Sequence, residues 1–147
     1  MIVVVQESFT SGDFHNSLDN KMKFKHKKDY KLFFSIHPIL IMILGDMASY
    51  CLERNLPFVI TSTRSTLKED NKIKRRSSTH RTGRAADISV NGWDAFQIQD
   101  FAIYFNEKYE EYAALSSKTN EPQLVVFHVG TAPHIHVQVG WKYTYNL

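Results

Sequence analysis

The segment Ser78-Thr79-His80-Arg81-Thr82-Gly83-Arg84-Ala85-Ala86-Asp87 and the later His134-Ile135-His136 hold the residues best suited to chemistry in this chain. Imidazoles and a carboxylate are the ligands from which proteins build zinc sites that leave a coordination position open for water. Side chains alternate along a strand, so His134 and His136 would share one side of a sheet while Val137 and Val139 point the other way. Two imidazoles on one face could share a metal or flank one. Asp87 stands in an otherwise apolar run, where a carboxylate is costly unless it is paired or coordinating. His80 precedes it across Gly83 and can converge on it if the intervening turn folds back. A lone HxH, or a His and an Asp at this spacing, is a weak signal, since such residues more often satisfy ordinary hydrogen bonds. The whole pattern from Ser78 to Asp87, with Gly83 and Ala85 in register, is far more specific.

These residues need elements to hold them. Phe33 to Asn55 reads as a helix: His37-Pro38 supplies a start, and Leu40, Ile43, Leu44, Met47, Tyr50 and Cys51 recur at the spacing of one buried face. Asn55-Leu56-Pro57 ends it, and Phe58 to Ser62 follows as a short β-branched strand. The charged, aperiodic stretch Thr66 to Ser78 reads as a surface loop, and Ala85 to Val90 as a strand around Asp87. Asp94 and Gln97 form a capping-box pattern that opens a second helix, with Ile98, Phe101, Ala102, Phe105, Tyr109 and Tyr112 inward. Gln123 to Val129 and His134 to Val139 read as paired strands around the turn Gly130 to Pro133, with His134 and His136 on the cleft side and Ile135 and Val137 buried. Two main helices against a small, mainly antiparallel sheet make an α+β plan, in one domain over residues 1–147.

Composition narrows the classes. A chain of 147 residues, 43% hydrophobic and 13% aromatic, can bury one proper core and is not a disordered segment. Its net charge of +3 suits an anionic environment such as a bacterial wall but lacks the dense basic face of a nucleic-acid binder. The most basic run, Lys21 to Lys31, reads as a solvated face or loop. The single Cys51 excludes an intramolecular disulfide and a cysteine zinc cluster, and its apolar helical setting predicts a buried structural thiol. The opening MIVVVQESFT is too short and too poor in basic residues for a signal peptide, and no stretch reaches the length of a membrane span. Cytoplasmic synthesis is the expectation, with any action on a wall following release.

The pattern Ser-x-His-x-x-Gly-x-Ala-x-Asp, closed by a later strand histidine, resembles the LAS zinc metallopeptidases. That group includes D-alanyl-D-alanine carboxypeptidases and dipeptidases, phage L-alanyl-D-glutamate endolysins and the murein endopeptidase, and it shares its zinc fold with the Hedgehog signalling domain. The likeness runs from about Pro38 to Trp141, with its specific motifs in three segments. It implies a Zn2+ ion held by His80, Asp87 and His136, and a hydrolase that cleaves short peptides or cross-links of peptidoglycan, as a phage or bacterial lytic enzyme does. Ile60-Thr61-Ser62-Thr63-Arg64-Ser65 is similar to the group's Thr-Ser-Gly-x-Arg-Ser segment, which implies that Arg64 orients substrate or steadies an oxyanion.

One departure stands out. Most active relatives place a Glu or Asp shortly before the last ligand, as the base that takes a proton from the attacking water. The stretch Phe127 to Ile135 holds no carboxylate. The murein endopeptidase type uses histidines here, which makes His134 the first candidate base and His128 the second. An imidazole pKa of roughly 6.5 suits that work. The expected partner is a peptidoglycan peptide, with no nucleic acid, no stable membrane association and a monomeric chain. The competing expectation is a catalytically inactive zinc-binding interaction domain of the same fold; a metal-free protein with incidental histidines is a third.

Overall fold

The computed structural model describes residues 15–16, 22–130 and 132–146. Its sheet runs β1 (His15–Asn16), β2 (Lys23–Phe24), β3 (Val59–Ser62), β4 (Ala85–Ser89), β6 (His134–Gln138) and β5 (Val125–His128) in spatial order. Only the β2–β3 pairing is parallel. Four α-helices accompany it: α1 (Lys27–Lys31), α2 (Pro38–Glu53), α3 (Leu67–Lys72) and α4 (Ala95–Lys108). The fold is therefore α+β, with two main helices against a mostly antiparallel sheet.

Helix α2 starts at Pro38, later than its apolar pattern suggests, because Phe33–Ser35 closes into a separate 3-10 turn. His37 caps α2 by accepting the Ile39 N–H on Nδ1 at 3.0 Å. That leaves Leu40, Ile43, Leu44, Met47 and Cys51 fully buried, and burial pushes the Cys51 thiol up to about 12. Helix α4 opens with the expected Asp94–Gln97 box, both of whose bonds are 2.8 Å. It ends at Lys108, so Tyr112 falls in the following 3-10 turn, Glu110–Tyr112. Phe101 and Phe105 carry its inner face, packing on Trp93 and Tyr50.

On the sheet, Ile60, Ala86, Ile88, Ile135, Val137 and Val139 join this core. Ile88 pairs across the ladder with Ile135, whereas Asp87 pairs with His136. The strand alternation thus sends Asp87 and His136 to the face away from the core. A bulge between Ile60 and Ser62 re-registers β3 against β4 beside Asp87, a common device near functional sites.

One loop assignment needs correcting. Thr66 to Ser78 contains α3, opened by a Thr66–Glu69 capping box; charge had masked a signal that was present. The basic run is a solvated face rather than a loop: it supplies β2 and α1, with Lys25, Lys27, Lys28 and Lys31 exposed while Met22, Phe24, Asp29 and Tyr30 are buried. Lys21 lies outside the described residues, as do the N-terminal apolar run and Thr131 of the β5–β6 turn. No helix among the described residues is long and apolar enough to cross a membrane.

Candidate metal centre

His80, Asp87 and His136 converge, each offering one donor atom within 4.8 Å of the others. Asp87 comes from the middle of β4, His136 from the ladder position opposite it, and His80 from the turn that precedes β4. That turn is closed by Thr82 N–H to Ser78 O and Gly83 N–H to His80 O, with Gly83 at φ +68°. A Cβ at Gly83 would sit 3.0 Å from Arg64 Nη1 and 3.2 Å from the Ser35 carbonyl, so glycine is required twice over.

The decisive feature is the state of His80, which is buried at 1% exposure. Its Nδ1 lies 2.6 Å from the Thr63 carbonyl. A carbonyl only accepts, so Nδ1 carries a proton, and in the neutral ring Nε2 presents a lone pair. Nε2 is 3.2 Å from Asp87 Oδ1, yet it makes no hydrogen bond, although it is buried. Asp87 Oδ1 also lies 2.8 Å from His136 Nδ1. Burial penalises the Asp87 carboxylate, but His80 and His136 beside it hold its carboxyl well below the usual carboxylate range. An ionised Asp87 favours a cation against it, and an orphaned imidazole nitrogen aimed at the same oxygen could serve as a metal donor. Donors around a tetrahedral zinc sit about 3.3 Å apart, given bonds of roughly 2.0–2.1 Å. The 2.8 and 3.2 Å separations are shorter than that, so an ion of this kind would spread these donors slightly.

Further residues prepare these donors. The Thr63 carbonyl that fixes His80 belongs to a residue held by the buried Asp29, which accepts Thr63 N–H at 2.8 Å and Thr63 Oγ1–H at 2.9 Å. Arg75 Nη2 stands 3.5 Å from Asp87 Oδ2, the oxygen turned away from the histidines. Arg75 Nη1 donates to Asp70 Oδ1 at 3.0 Å, and the fully buried Asp70 also accepts Ser65 Oγ–H at 2.7 Å and Arg81 Nη1 at 2.9 Å. Burial opposes the Asp70 charge, but these donors outweigh it and depress the carboxyl pKa. Asp29, Thr63, Asp70 and Arg75 were missed from the sequence. The one available clue was an acidic residue within each basic or charged run.

His134 and His128 sit beside the trio. The register places His128 opposite His134 and Val126 opposite His136, which puts all three histidines on one face. Ile135 and Val137 are fully buried on the other, as expected. The His128 ring centroid is 5.0 Å from His134 and 5.6 Å from His136. His134 Nδ1 lies 3.0 Å from the Ala132 carbonyl, and its Nε2 lies 3.9 Å from Asp87 Oδ1. Burial, then the neighbouring His136 and His134, lowers the His128 pKa. Arg64 lies elsewhere in the network: its Nη1 donates to the carbonyls of Ser35 and Tyr145, each at 2.7 Å. That nitrogen is committed to joining three segments, and Arg75 is the guanidinium that reaches Asp87.

Comparisons with protein-family models, with curated proteins and with solved structures found no match.

Proposed function

We propose that this chain is a zinc-dependent peptidase of the LAS type that hydrolyses short peptides or cross-links of bacterial peptidoglycan. The observation that carries the reading is the buried, partnerless Nε2 of His80 directed at Asp87 Oδ1, with His136 Nδ1 on the same oxygen. His80 through Nε2, Asp87 through a carboxylate oxygen and His136 through an imidazole nitrogen would hold the ion, with the proton that His136 now shares with Asp87 given up. When bound, zinc supplies Lewis acidity that polarises a peptide carbonyl and makes water a stronger acid.

The remaining work falls to the chain's own groups. His134 donates its Nδ1 proton to Ala132 O, so Nε2 is free to accept a proton from water on the cleft side and pass it to the leaving amine. His128, its ring tilted 33° to that of His134 at 5.0 Å, keeps a second imidazole within the same cluster. Arg75 holds Asp87 Oδ2 aside, leaving Oδ1 to face the histidines.

Purified protein should carry one zinc per chain, and His80→Ala, Asp87→Ala or His136→Ala should each abolish binding and lower stability, because such binding contributes to folding. Elemental analysis checks this; stoichiometric zinc in His136→Ala overturns the ligand set. Digestion of purified sacculi with mass mapping of the released peptides tests the activity. The lack of a carboxylate between Phe127 and Ile135 favours one second reading, a zinc-binding interaction domain without turnover. Full zinc content with no cleavage of any wall peptide would select it.

A further inference from the structure

Among the described residues, strand β5 is the outer strand of the sheet beside the histidine cluster. Its pairing with β6 places Val125 opposite Val137 and Phe127 opposite Ile135. The Val125 N–H is bonded by Asn106 Oδ1 at 2.8 Å, and the Val125 carbonyl accepts Asn106 Nδ2–H at 3.2 Å. Those groups therefore point away from β6, which makes Val125–Val137 a pair without ladder bonds. The bond from Gln138 N–H to Leu124 O, 2.8 Å, agrees with this phase. Antiparallel pairs alternate, so Phe127, two residues on, also turns its N–H and C=O outward. No described residue bonds either group, and Phe127 is 39% exposed.

The Asn106 carboxamide is chemically a peptide bond. It already sits on this edge as an added strand would, donating to one carbonyl and accepting from one N–H. The next such position, at Phe127, is open, and it immediately precedes His128 of the cleft. We infer that an extended peptide segment pairs with the backbone N–H and C=O of Phe127 at the free edge of β5. Resting on the peptidase reading, the occupant is the substrate's own backbone. Strands are spaced about 4.8 Å apart, so an added segment lies roughly 10 Å from β6. The edge thus anchors residues flanking the bond to be cut, and Asn106 limits the run in one direction. Such pairing recognises main chain and leaves side-chain choice to the cleft.

The test uses the zinc-loaded protein and stem peptides released from purified sacculi. In wild type, adding the peptides should shift the Phe127 amide resonance and slow its hydrogen exchange. Phe127→Pro removes the outward N–H without breaking a β5–β6 bond, since proline is tolerated where an edge N–H faces solvent. It should keep its zinc and weaken peptide binding by about 3- to 10-fold, the worth of one hydrogen bond, read as a raised KM or Kd. Unchanged affinity in a folded, zinc-replete Phe127→Pro protein overturns the inference. So does a Phe127 amide that is unmoved while peptide binds, or a failure of every stem peptide to bind; the amide measurement decides if the proline variant does not fold. A responding Phe127 amide without hydrolysis supports the edge and sinks only the peptidase reading.

Discussion

Replacing Asp70 with Asn should cost the protein about 2–3 kcal/mol, although Asp70 is not among the proposed metal donors. The carboxylate is fully buried and receives two guanidinium bonds, from Arg75 at 3.0 Å and Arg81 at 2.9 Å, besides the Ser65 hydroxyl. Hydrogen bonds to charged groups contribute roughly 1.5–3 kcal/mol each, so two give a gross loss of about 3–6 kcal/mol. The arginine side chains are 20% and 29% exposed, and water can partly rehydrate them once the charge is gone, which lowers that figure to about 2–3 kcal/mol. For a chain of this length the loss corresponds to a melting temperature lower by roughly 4–12 °C. Urea and thermal unfolding at pH 7, both in excess chelator, keep metal loss from contributing. The Asp70 pKa is depressed in the folded state, so its stabilisation is complete above the unfolded value of about 3.9 and fades as pH falls through the folded one. The gap between wild type and variant should therefore close progressively below about pH 4. A loss under roughly 0.5 kcal/mol at pH 7, or a gap indifferent to acid, refutes this account of Asp70.

Arg75→Met should leave most of the fold intact yet weaken zinc affinity about 10- to 100-fold, the usual effect of removing a group that orients a ligand; a competitive chelator titration with no change counts against the Arg75–Asp87 contact. His134→Ala should retain stoichiometric zinc while losing about 10²–10⁴-fold in turnover on wall peptides, and His128→Ala should lose less. Undiminished turnover in His134→Ala excludes it as the base. Gly83→Ala should destabilise by about 1–3 kcal/mol, since φ +68° is strained for alanine and its methyl would crowd Arg64 Nη1 and the Ser35 carbonyl. A melting curve matching wild type would mean that the turn can re-form around a side chain.

The parts of the fold legible in the sequence were those governed by local rules. The α4 cap, the apolar stripe of α2 and the two-residue period that separates His134 and His136 from Ile135 and Val137 all follow from neighbours along the chain. So did α3, whose Thr66–Glu69 box was legible but obscured by the charge around it. What stayed hidden depends on partners far away. Nothing near Asp29 announces that it will receive Thr63, and Asp70 looks solvated until Arg75 and Arg81 fold over it. Arg64 illustrates the converse: a motif position suggests a substrate contact, while the Ser35 and Tyr145 carbonyls that occupy its Nη1 are supplied by distant segments. The facing of His128 needed the strand register, which periodicity within β5 alone does not set.

The turn that presents His80 is fastened by residues made much later. Thr82 O receives the Tyr145 N–H, Arg84 O receives the Val139 N–H, and the Tyr145 carbonyl takes the Arg64 guanidinium. During synthesis, then, His80 and Asp87 emerge long before the clamp that locks their geometry. A nascent chain stopped short of Tyr145 lacks these bonds, so the turn that presents His80 is not yet in its final form. On the proposed zinc reading, ion capture would therefore wait until translation has passed that point.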